Sequence, residues 1–135
     1  RSLYYNMFDK NKLKKISLFL FFIMFVYSGI SKIFNFSKKV NTLQNKTGLP
    51  HQINVLGMIG VIILEIIGSL MLLFNEIYPG IIPQYVNKLI YLSYILFMIV
   101  VTLLYHPPGK AMVPFLSNLT TFGAFIYIYS DKFIK

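Results

Sequence analysis

The sequence has 135 residues, of which 56% are hydrophobic and only 13% charged, at a mean hydropathy of +0.66. Soluble domains carry about 25% charged residues, so an ordinary soluble domain is excluded and one bundle of membrane spans is expected over 1–135. The formal charge of +9 does not point to nucleic acid, because the lysines sit between apolar blocks as topology signals and headgroup contacts, and the lack of cysteine excludes disulfides, thiol redox chemistry and thiolate-held metal centres within the chain.

The chain opens on Arg1 rather than Met, so a preceding piece is expected to be missing or processed. Residues 1–15 set Arg1, Lys10, Lys12, Lys14 and Lys15 beside Tyr4, Tyr5 and Phe8, the pattern of an interfacial segment. A first span follows over about 16–36. Its second half carries Ser28, Gly29 and Lys32, and Ser28 and Lys32 share a helix face at i, i+4. Near the span's end, Lys32 can snorkel to the surface.

Residues 37–52 read as a loop holding a short amphipathic interfacial helix. Phe36, Val40 and Leu43 recur at helical spacing, with Lys38, Lys39 and Lys46 elsewhere around it. Gly48 and Pro50 should end that helix. Asn45-Lys46-Thr47 matches the glycosylation triplet, which matters only in a secretory lumen.

The second span, about 55–74, is apolar except for Glu65 near its middle. A carboxylate there is expensive in lipid, so it should face other helices, a cavity or a partner. On an uninterrupted α-helix Gly57 and Gly68 fall about 20° apart, marking one strip for close helix packing. The following loop, Ile77–Pro83, is unusually apolar and is expected to lie in the interface or against another protein.

A third span covers about 86–105 and ends with Thr102 and His106 on one face, before Pro107-Pro108-Gly109. The fourth covers about 112–130, with Asn118 and Thr121 inside it. The fold class is therefore all-α, a four-span membrane bundle with both termini on one side. That side carries eight basic residues against five on the other, which places the termini in the cytoplasm or matrix. The membrane is expected to be a mitochondrial inner membrane or a bacterial-type plasma membrane.

Four spans bring Lys32, His51, His106 and Asn118 into the half of the bundle away from the termini, with Glu65 deeper. Polar groups gathered there could line a pocket. The bland alternative stands beside it: Glu65 as interhelical glue, Lys32 as a snorkelling residue first and a partner for Glu65 or an anion second, the histidines as ordinary interfacial side chains. By helical rise Lys32 should lie about 6 Å inside the surface and Glu65 about 18 Å. A direct pair is therefore not expected. Glu65 is expected to be protonated and hydrogen-bonded to Ser28 or Thr102.

Ser28–Phe34 (SGISKIF), Leu64–Phe74 (LEIIGSLMLLF) and the late His106 resemble the DoxX-like family of small four-helix membrane proteins. The resemblance implies Gly29, Lys32, Glu65 and Gly68, and more loosely His106, as a polar core and its packing. It also implies association with redox or respiratory chemistry, since the family is similar to a membrane subunit of a thiosulfate:quinone oxidoreductase. The expected function is a non-catalytic accessory subunit of a larger membrane complex, with anionic lipids and other membrane subunits as partners, and no cofactor or metal. The runner-up is a quinone-linked oxidoreductase subunit, with Ser28, Lys32, Glu65, Thr102, His106 and Asn118 around a quinone headgroup. The packing glycines are Gly29, Gly57 and Gly68.

Overall fold

The computed structural model describes residues 9–134; Arg1, Tyr4, Tyr5 and Phe8 of the expected interfacial segment, and Lys135, lie outside them. Within the described residues five helices follow one another: α1 (Lys10–Phe34), α2 (Phe36–Thr47), α3 (His51–Ile77), α4 (Gln84–Tyr105) and α5 (Met112–Phe133). No strand occurs among the described residues. All but α2 are long and apolar enough to cross a membrane, and the protein is an all-α, four-span protein. The first span starts earlier than the apolar pattern suggests. Helix-favouring Lys10–Lys15 meets no Gly or Pro, so the basic run joins α1 as its first turns.

Packing is tightest in the half nearest the termini. Buried positions on α1 (Leu18, Phe22, Phe25, Gly29) and on α4 (Asn87, Tyr91, Tyr94, Met98, Thr102) each follow a three-and-four spacing that makes one stripe. The two stripes meet Leu72 and Phe125 in one core. Phe125 stacks on Tyr94 with ring centroids 4.8 Å apart and takes Phe21 edge-on. These contacts bring α5 against α1; toward its N-terminus α5 leaves Met112, Val113 and Leu116 exposed. The bundle is thus closed near the termini and splayed at the other end.

Two local features depart from the sequence expectation. Residues 36–47 do form a helix, but it does not lie flat as an interfacial element. Asn35 interrupts the helix for one residue while backbone bonds run through it, from the Asn35 N–H to the Ser31 carbonyl and from the Lys39 N–H to the Asn35 carbonyl. The chain therefore continues as α2 and reverses only at Gly48, whose φ of 68° is the left-handed conformation that glycine adopts without strain, and Pro50. In consequence α2 runs antiparallel beside the first half of α3. Val40 is buried, Leu43 faces Gly57, and the Thr47 hydroxyl donates to Asn54 Oδ1 at 2.7 Å. Lys46 sits over the Tyr105 ring, 5.4 Å from its centroid, at the end of α4. This places α2 inside the thickness that α4 spans.

The second departure is a π-turn over Leu64–Gly68 in the middle of α3. It rotates everything after it relative to a regular α-helix, so Gly57 and Gly68 do not share one strip. Gly57 faces Leu43 of α2, whereas Gly68 faces Ile90 and Tyr94 of α4.

Candidate functional site: an ion pair beside an intramembrane cavity

Lys32 and Glu65 are directly paired. The Lys32 ammonium donates to Glu65 Oε1 at 2.9 Å and to Ser28 Oγ at 2.6 Å. The carboxylate side chain is 3% exposed and the lysine 18%. This corrects the expectation that no direct pair would form: the side chain that reaches Glu65 is Lys32 rather than Thr102. The depth gap behind that expectation assumed that α1 ends at the membrane surface. Because α2 carries the chain onward by 12 residues, about 18 Å of helical rise, Lys32 lies level with Glu65.

Local sequence supplies the rest of the geometry. Ser28 sits one turn before Lys32 and gives the ammonium a second acceptor. Gly29 lets α3 approach: a Cβ there would stand 2.5 Å from Ile66 Cγ1 and 3.2 Å from Glu65 Cβ. The π-turn leaves the Leu64 carbonyl to accept a bond from the Tyr94 hydroxyl at 3.0 Å, and Ser69 in turn bonds Tyr94. A π-turn that contains the acid at the middle of a span, backed by a buried hydroxyl pair, is a place where irregular backbone is fixed by side chains.

Beside the pair, the splayed half holds a partly open cavity of about 680 Å³. Of the residues expected from the sequence, Ser28, Lys32, Glu65, His106 and Asn118 line it, together with Gly57. Thr102 is buried on the α4 stripe and is not among the lining residues. His51 stays exposed, bonded to Gln44, and does not line the cavity. Much of the rest of its wall is apolar, including Phe25, Met58, Phe97 and Met98; Asn35, Thr47, Asn54 and Thr121 add further polar groups, and α2 adds Lys38, Lys39 and Thr42. The carboxylate, the amine, an imidazole and an amide can hold a polar headgroup, while the wall suits an apolar body.

A second polar site, not expected from the sequence, lies near the termini. Lys132 of α5 donates to Glu76 of α3, and Lys14 bonds Asp131 at 3.4 Å. Asn75, Gln84 and Asn87 complete a pocket of about 170 Å³ with the Glu76–Lys132 pair. The signal available in sequence was the placement of Glu76 and Lys132 at matching span ends. Among the described residues no cluster of three or more His, Cys, Asp or Glu side chains is placed to hold a metal ion.

Residues 10–107 match the family described as Methylamine utilisation protein MauE. The chain belongs to the MauE family. Its motifs had suggested a DoxX-like protein, and the family that the match gives is this other membrane family. The match runs from the first residue of α1 through the end of α4. It takes in Ser28, Lys32, Glu65 and His106 and stops before Asn118 and the rest of α5. No curated protein and no solved structure matches the chain.

Proposed function

We propose that this MauE-family protein is a non-catalytic accessory subunit of a larger membrane assembly, a respiratory or related oxidative one. The observation that carries the reading is the loop between α3 and α4. Ile77, Tyr78, Ile81 and Tyr85 are all more than half exposed, beyond or at the ends of the spans, at the membrane face where the termini lie. Side chains of this kind outside the spans suit contact with another subunit. The mutual pairing of interior polar groups supports the same reading: Lys32 is committed to Glu65 and Ser28, and Tyr94 to Ser69 and Leu64. The family's name ties it to methylamine utilisation, which fits a membrane component serving an enzyme system.

The test is recovery of the tagged chain from its native membrane in mild detergent, followed by native-gel migration. The reading expects a stable species well above the monomer, and an Ile77→Ser/Ile81→Ser variant that falls to the monomer with unchanged helicity. A long-lived, fully helical wild-type monomer would overturn it. The second reading, a quinone-linked oxidoreductase subunit, draws on the cavity with Lys32, Glu65 and His106 on its wall. Intact assembly with abolished quinone-linked turnover in Glu65→Gln would favour it instead.

A further inference from the structure

The cavity has a charge imbalance that the ion pair does not remove. Lys32, Lys38 and Lys39 line it against one acid, Glu65. Glu65 is taken by Lys32, and among the described residues Lys38 and Lys39 have no acidic partner. Both lie on one face of α2 with Asn35 and Thr42, at i, i+3, i+4 and i+7, and all four line the cavity. Because α2 stands within the span of α4, these ammonium groups lie where uncompensated charge is costly.

The cavity is also open toward lipid. Met24 and Val100 line it and are about half exposed on the bundle's flank, where α5 fails to close against α1. Its apolar wall continues inward over Phe25, Phe97 and Met98.

We infer that this cavity is a binding site for an anionic phospholipid, its phosphate held by Lys38 and Lys39 of α2 and one acyl chain lying along the apolar wall between α1 and α4. The occupant enters sideways from the bilayer. Its phosphate supplies the counter-charge that the chain itself lacks, and its acyl chain fills the splayed half. A neutral quinone would fill the same space but leave both ammonium groups uncompensated. This goes beyond the accessory-subunit reading and stands independently of it.

The test uses the full chain purified in mild detergent. Thermal unfolding is followed by circular dichroism with added phosphatidylglycerol, phosphatidylcholine of the same acyl chains, inorganic phosphate, or a neutral quinone, and retained lipid is identified by mass spectrometry. Phosphatidylglycerol should remain bound and raise the unfolding midpoint; the other three should not. Lys38→Gln/Lys39→Gln should weaken phosphatidylglycerol binding tenfold or more while keeping the lipid-free helicity and midpoint. Lys10→Gln/Lys12→Gln, which changes lysines far from the cavity, should bind like the wild type. Equal stabilisation by phosphatidylcholine or by the quinone would overturn the inference, as would an equal shift with inorganic phosphate alone. So would wild-type binding by the Lys38/Lys39 variant, or an equal loss in the Lys10/Lys12 variant. If the Lys38/Lys39 variant misfolds, the single changes Lys38→Gln and Lys39→Gln are read in its place, and wild-type binding by both would likewise overturn the inference.

Discussion

Gly29 shows how a single absent side chain organises the site. Its backbone lies so near α3 that a Cβ would collide with Ile66 and press tightly on Glu65, and this closeness brings Glu65 within reach of Lys32. Gly29→Val should therefore destabilise the protein by about 1–3 kcal/mol through overpacking. Gly60, around which a Cβ would meet nothing within 4 Å, is the control, and Gly60→Ala should hold or raise the midpoint of denaturant-induced unfolding, since it adds helix propensity without a clash. Tyr94 is a second such residue. Tyr94→Phe keeps the stack on Phe125 but leaves the Ser69 hydroxyl and the Leu64 carbonyl without their partner. A loss of about 1–3 kcal/mol is expected in the same unfolding measurement. At this scale the sequence marked Ser28, Lys32 and Glu65 as interior polar groups, because charge and hydroxyl stand out in an apolar span. It did not mark Tyr94, since a tyrosine in a run of apolar residues carries no sign of whether it faces lipid or a hydroxyl on another helix.

Helix-scale features divide in the same way. The four spans are plain in the apolar runs, since nothing else buries so many consecutive large side chains. The direction of α2 is not, because its periodicity reports a helix with an apolar face without saying whether that face meets lipid headgroups or another helix. What decides is Asn35, which breaks the helix for one residue without turning the chain back. The π-turn is equally hidden, as Leu64–Gly68 has the composition of an ordinary α-helical turn. Both features meet in one contact, Leu43 against Gly57. The chain has no native cysteine, so Leu43→Cys/Gly57→Cys can be oxidised in native membranes and then probed with a mass-tagging maleimide. Loss of both free thiols is expected. Thiols that stay fully reactive would mean that α2 lies flat on the membrane surface after all.

For the whole molecule, the splayed end and the closed end have different roles. The closed end holds the aromatic core and the Glu76–Lys132 pair, and the splayed end holds the cavity. Placing Lys32 inside the bundle also changes the charge count across the membrane. Eight basic residues remain on the side of the termini, and with Lys38 and Lys39 of α2 also within the span thickness those on the far side fall from five to two. The termini should accordingly face the cytoplasm or matrix. On sealed vesicles of known orientation, an impermeant maleimide should reach Lys110→Cys from the far side and Ser130→Cys only from the cytoplasmic or matrix side; the reverse pattern would refute this orientation. The candidate site is built on the pair between Lys32 and Glu65, and a double-mutant cycle on unfolding in detergent tests it most directly. Lys32→Met and Glu65→Leu should each cost about 3–5 kcal/mol, because each leaves a buried charge alone, while the double variant should recover most of that loss. Additive losses, with the double variant as unstable as the two singles combined, would contradict an intramembrane ion pair.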